Sequence, residues 1–193
     1  TLLYREPPHY ITLGKELPAK ALDEILTDHA EVFTELKEYY KQTSESETTK
    51  ISFYEDTYSL YNLYRFSHYY EEAYGKYIWL KSGASLVIEH TEAMTVIDVN
   101  TGSVLKKKKQ EDTLFYQINR EAAKEIARQL RLRNISGIIM IDFINMKDTA
   151  QKEKLLSLLD SECKKDRVHC NVIDMTALNL VEMTRSKVRK PLH

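Results

Sequence analysis

The sequence lacks most of the features that would place it at a glance. It has two cysteines in 193 residues. Cys163 and Cys170 do not match the paired spacing of a zinc site, although His169 abuts the second, and they read as free thiols. Free thiols suit a reducing, cytoplasmic location. No apolar run approaches the ~20 residues that a membrane helix needs, so no membrane partner is expected. No signal peptide stands at the start. There is also no initiator Met: the chain opens Thr1-Leu2-Leu3-Tyr4, as a piece of a longer protein would. The net charge of −1 excludes a uniformly basic nucleic-acid binder, so any partner that needs positive charge must find it in local patches. Neither an internal repeat nor a coiled-coil heptad is present. The length suffices for one good core and a smaller appendage.

Much of what is present is aromatic at first and aliphatic later. Most of the thirteen tyrosines precede residue 80. After Pro7-Pro8, residues 10–28 read as a short strand, a brief helix after Pro18, and a strand near Glu24–Thr27. Residues 30–40 carry apolar side chains at helical spacing, with Asp28 as their cap. A polar loop covers 43–50, and Ile51–Tyr54 reads as a strand. Residues 58–74 read as one aromatic helix, with Leu60, Tyr61, Tyr64, Tyr69 and Tyr70 partly buried and Gly75 as its stop. The change in composition puts a domain boundary near 75–78, giving portions 1–76 and 77–193.

The second portion begins as an antiparallel meander: Tyr77–Leu80, a turn at 81–84, Ser85–Glu89, a turn at Thr91-Glu92, and Ala93–Asp98. Residues 101–112 are polar. Residues 113–133 form the clearest helix. Leu114, Phe115, Ile118, Ala122, Ile126 and Leu130 share one face, while Arg120, Lys124, Arg128 and Arg131 share the other. A central strand at 138–142, a helix at 148–165 and a strand at 171–175 follow. The expected class is α/β (α+β), a mixed sheet with flanking helices. The basic tail, 182–193, is given no element.

Two apolar runs here each end in a carboxylate, Asp98 and Asp142. Ligands of open α/β sheets gather at the carboxyl ends of strands, so these two acids are expected side by side. Asn100 lies two residues beyond Asp98 and shares its face if the strand persists. Two aspartates with an orienting amide make a minimal magnesium site of the kind used on phosphodiesters. Lys106, Lys107, Lys108 and Lys109, with the basic helix face, offer phosphate contacts. Read singly, each feature has a plainer account: a strand-end Asp caps a turn, a charged helix face is solvated, and a lysine run is an exposed loop.

The stretches Thr91-Glu92-Ala93, Ile97-Asp98-Val99-Asn100-Thr101-Gly102 and Asn119-Arg120-Glu121-Ala122-Ala123 resemble the catalytic region of the ribonuclease E/G family. So do 126–133, 137–144, Lys165-Asp166-Arg167 and Glu182-Met183-Thr184-Arg185. The resemblance implies a DNase I-like catalytic subdomain for the second portion and a structural, ribonuclease H-like one for the first. It implies a magnesium-dependent endoribonuclease, with manganese as a substitute metal, that acts on single-stranded RNA and leaves 5′-phosphate and 3′-hydroxyl ends. Asp98 and Asp142 match the metal-binding aspartates and Asn100 the orienting amide. Asn145 stands where many members carry a further Asp. The family's S1 and 5′-sensor regions, and the Cys-Pro-x-Cys zinc link of its homo-oligomers, have no counterpart in these residues. A non-catalytic RNA-binding or assembly module on the same fold is the competing expectation.

Overall fold

A computed structural model of the chain describes residues 8–16, 22–42, 49–102 and 111–188, with residues 14–16 and 111 described by backbone alone. Two compact units emerge, Thr1–Ser67 and His68–His193.

The first unit holds helix α1 (His9–Glu16), strand β1 (Glu24–Thr27), helix α2 (Ala30–Lys41), strand β2 (Lys50–Phe53) and the short helix α3 (Leu60–Leu63). β1 and β2 pair in parallel, Glu24 opposite Lys50, so β1-α2-β2 is a crossover unit. Ile11, Leu36 and Tyr40 form its small core. The strand expected after residue 10 is instead α1. The alternation of residues 10–13 mimics a strand, but the Pro8 carbonyl accepts the amides of Ile11 and Thr12 and starts a helical turn, an N-terminal place that proline tolerates. Asp28 does not cap α2. His29 occupies that position without a side-chain cap, and its amide bonds back to the Thr27 hydroxyl.

The single aromatic helix expected over 58–74 is two, α3 and α4 (Phe66–Tyr74). Arg65 breaks them with a left-handed φ of 51°. Tyr61, Tyr64, Tyr69 and Tyr70 are exposed rather than partly buried. Their helical spacing could not reveal this, since tyrosine tolerates either environment. Among the described residues, no helix is long and apolar enough to cross a membrane.

The second unit is a six-stranded mixed sheet. Its strands are β3 (Tyr77–Trp79), β4 (Ser85–His90), β5 (Met94–Asn100), β6 (Gly137–Asp142), β7 (Cys170–Met175) and β8 (Leu180–Arg185), in the order β3-β4-β5-β6-β8-β7. Only the β5–β6 pairing is parallel. Helix α5 (Glu111–Leu132) makes the crossover between them, and α6 (Thr149–Cys163) connects β6 to β7. Ile97, Val99, Ile139, Ile141, Val181 and Met183 point inward from the sheet. They meet Ile118, Ala122, Ile126 and Leu130 of α5 and Leu155 and Leu159 of α6. Ala122, Ala123 and Ala127 let α5 approach closely. The alternate residues of each strand face away from both helices.

β8, given no element in the sequence reading, inserts between β6 and β7. Its Leu180-Val181-Glu182-Met183-Thr184-Arg185 alternates in burial like any half-buried strand, and the charged residues hide that pattern. Arg185 is 4% exposed. Its Nε donates to Asp166 Oδ2 at 2.9 Å, and its NH1 donates to the Asn134 side chain and the Ile135 carbonyl. A buried ion pair contributes little net stability, but removing one partner strands the other. Asp166→Ala should therefore lower the unfolding free energy by about 3–5 kcal/mol, while the double change Asp166→Leu with Arg185→Met costs much less. Urea unfolding of the three chains checks this.

Candidate metal and nucleic-acid site

The parallel register of β5 on β6 sets Met94 opposite Ile138 and, four residues on, Asp98 opposite Asp142. Ile97 and Val99 point into the core, as do Ile139 and Ile141. Strand alternation therefore turns both carboxylates onto the sheet face opposite α5 and α6. β5 persists to Asn100, so Asn100 joins that face. Its Nδ2 donates to Asp98 Oδ2 at 2.6 Å, which fixes one carboxylate oxygen and leaves the other to a ligand.

Two like charges in direct register raise the cost of ionising both. Partial burial, and then the Asp98 carboxylate, hold the Asp142 carboxyl above its ordinary pKa. Among the described residues no basic side chain ion-pairs with either acid. Nor does any cluster of three or more His, Cys, Asp or Glu side chains form there. The donor set is thus two carboxylates and an amide, too few for a closed zinc cage and suited to a hard cation that keeps several waters. Cys163 and Cys170 are free thiols. The hydrogen bond that Cys163 shares with Cys170, and then burial, push its thiol upward.

The remaining expected contacts fall elsewhere. Lys106, Lys107, Lys108 and Lys109 lie outside the described residues. Arg120, Lys124, Arg128 and Arg131 are on the face of α5 turned away from the sheet, so the sheet separates them from the carboxylates. Arg128 is ion-paired with Glu125 at 2.9 Å and with Glu72. Arg120 stands over the Tyr116 ring at 5.6 Å, and Arg131 reaches the Glu162 carbonyl at 3.5 Å. Lys124 is exposed.

Polar residues of α5, and Arg133 just beyond its end, fix the backbone around the site. Asn119 is fully buried. Its Nδ2 donates to the Ile144 carbonyl at 2.7 Å, and its Oδ1 accepts the Ile144 amide at 3.0 Å. This two-point latch holds the chain two residues beyond Asp142. The Glu121 carboxylate accepts the amides of Lys81 and Ser82 and so fixes the β3–β4 turn. Gly102 approaches the same turn from the end of β5. It has a φ of +57°, and a Cβ there would lie 2.6 Å from the Gly83 carbonyl oxygen. Arg133, 3% exposed, donates to the Glu72 and Gly75 carbonyls and caps α4. Helical patterning assigns buried polar residues to the solvent face. Only the presence of Asn119 and Gln129 on the apolar stripe, at a spacing that keeps them with Ile118, Ala122 and Ile126, could have marked them.

Two outcomes follow from this geometry. Asn119→Ala leaves an amide and a carbonyl unsatisfied and should destabilise by about 2–4 kcal/mol, read by urea unfolding. Asp142 has a folded pKa above its unfolded one, so its ionisation opposes folding at neutral pH, and that penalty fades as pH falls through the carboxylate range. Asp142→Asn should therefore raise the melting temperature at pH 7 without metal and lose this advantage in acid.

Comparison with known proteins agrees across nearly the whole chain. Residues 1–188 match the model of the Ribonuclease E/G family. Ribonuclease G of Haemophilus influenzae is 37% identical over 190 residues, covering 98% of this chain and 38% of that protein. Ribonuclease G of Escherichia coli K12 is 38% identical over 171 residues, covering 89% and 35%. Ribonuclease E of a Nostoc species is 32% identical over 189 residues, covering 96% and 27%. The chain thus spans little more than a third of the ribonuclease G relatives it matches. With its two strand-end aspartates in register and its family-wide match in sequence, this chain belongs to the ribonuclease E/G family.

Proposed function

We propose that this chain is the hydrolytic core of a magnesium-dependent endoribonuclease that cuts single-stranded RNA and leaves 5′-phosphate and 3′-hydroxyl ends. The observation that carries the reading is the Asp98–Asp142 register. It sets two carboxylates side by side with no cationic partner among the described residues, on an open sheet face. Family membership supplies the substrate class, because the relatives are named ribonucleases. In this reading residues 77–193 are DNase I-like and catalytic, and residues 1–76 are ribonuclease H-like and structural.

The residues divide the work. Asp98 and Asp142 are the residues that would hold a divalent cation, because their two carboxylates stand in register with no cationic partner among the described residues. A cation bound there supplies Lewis-acid polarisation of the phosphoryl oxygen and lowers the pKa of water. Asn100 keeps Asp98 in one rotamer, so the site is organised before substrate arrives. Asn119 and Gly102 hold the ends of β6 and β5 against movement. Water adds to phosphorus and the P–O3′ bond breaks, so the phosphate stays on the downstream 5′ end. A cytoplasmic setting and homo-oligomeric assembly of the whole protein belong to the same proposal.

One observation favours a second reading, an RNA-binding or assembly module without activity. The chain spans 38% of its Haemophilus relative, so most of that relative's length lies outside the matched region. The two readings separate in one assay with a 5′-labelled single-stranded oligonucleotide. The nuclease reading expects cleavage with magnesium, none with chelator, and a loss of at least about a thousandfold in Asp98→Asn and Asp142→Asn. Asn100→Ala should lose less, because it removes an orienting bond and no ligand. Cleavage at unchanged rates in both aspartate variants sinks the mechanism. Salt-sensitive RNA retention with no cleavage supports the second reading.

A further inference from the structure

Two aromatic side chains share the open sheet face with the carboxylates. Trp79 is 72% exposed and Tyr77 60%, while Ile78 between them is buried. As alternate residues of β3 they project the same way, on the edge strand of the sheet. The strand register leads from them to the site. Tyr77 lies opposite Val87, Val87 opposite Asp98, and Asp98 opposite Asp142. Trp79 lies opposite Ser85, and Ser85 opposite Asn100. At a strand spacing of about 4.8 Å, the aromatics stand about 10 Å from Asp98 and Asn100, close enough for one RNA strand to span both.

The surroundings favour a nucleobase over a protein side chain. Between the rings and the acids lie half-buried Val87 and buried Ser85, and exposed Asn100 borders them, so a polar amide adjoins the apolar surface. An exposed ring beside polar neighbours suits a flat heterocycle with polar edges, as in sheet-surface recognition of single-stranded RNA. The platform is also rigid before binding. The turn that ends β3 is held by the Glu121 carboxylate on one side and by Gly102 on the other. Lys76 pairs with Glu89 and stands 5.8 Å from the Tyr77 ring centroid, so Trp79 offers the freer face.

We propose that Trp79, assisted by Tyr77, is a stacking platform for a base of the single-stranded RNA whose phosphate lies at Asp98 and Asp142. The inference rests on the nuclease reading of that site for its substrate. It makes Trp79 a positioning residue that sets where the strand runs.

Trp79 is the chain's only tryptophan, so its fluorescence reports this contact directly. The chain carrying Asp98→Asn and Asp142→Asn is titrated with a single-stranded oligonucleotide, following tryptophan emission and, separately, the anisotropy of labelled RNA. The expected result is quenching that saturates with the anisotropy midpoint and is absent with a duplex of the same sequence. Trp79→Ala should weaken binding at least about fivefold, and Trp79→Phe should recover most of it, with circular dichroism confirming both folds. In the chain with intact aspartates, loss at Trp79 should fall on KM more than on kcat. RNA binding with unchanged emission, or Trp79→Ala binding as tightly as the parent, overturns the platform. Cleavage by a chain whose Trp79 stays silent overturns the platform alone. Quenching in a chain whose aspartates are intact but which cuts no RNA overturns the nuclease reading alone, and absence of any RNA binding overturns both.

Discussion

Strands β5 and β6 run parallel inside a sheet whose other pairings are antiparallel. A parallel pair requires a crossover of a dozen or more residues, and α5 fills that connection. Its apolar stripe packs on the inward residues of both strands, which fixes the register from one side. A slip of one residue would carry Asp98 into the core and Ile97 into solvent. The burial of Ile97 and Ile141 thus enforces the adjacency of Asp98 and Asp142, so the core holds two like charges together in exchange for a much larger apolar burial.

The same helix ties down what lies around the site. Asn119 latches the chain beyond β6, Glu121 holds the β3–β4 turn, and Arg133 closes α4. Each of these bonds joins a side chain to backbone groups that no regular element satisfies, where an unpaired buried group would be costly. Helix α5 therefore acts as a frame. Its polar residues define loop positions to a precision that apolar packing alone does not supply. The carboxylates lie on the sheet face opposite this helix.

The core of the second unit was legible because its patterns are regular. The meander, the α5 stripe and the β6 run follow periods of two and 3.6 that burial reproduces. Other features were hidden for physical reasons. β8 carries Leu180, Glu182 and Thr184 on one face and buries Arg185 beside Val181 and Met183 on the other, so its alternation is not one of apolar with polar residues. The short helix α1 follows Pro8 and looks like an alternating strand. The aromatic residues of α3 and α4 have helical spacing, yet spacing does not say whether tyrosine is covered. Asn119 and Gln129 have no sequence signature apart from their place on an apolar face.

The strand-end acids, the amide two residues on, the crossover helix and the family resemblance are each written in local periodicity or in contiguous residues. Which of them meet follows from strand pairing alone. The folded sheet set Asp98 against Asp142, put Asn100 in bonding distance, and placed Trp79 and Tyr77 on the same face. It also put the arginines of α5 on the far side of the sheet, where charge patterning had gathered them with the acids. The reason is geometric: strand pairing sums residues that lie far apart in the chain, and only a folded sheet assigns a helix to one face and leaves the other open.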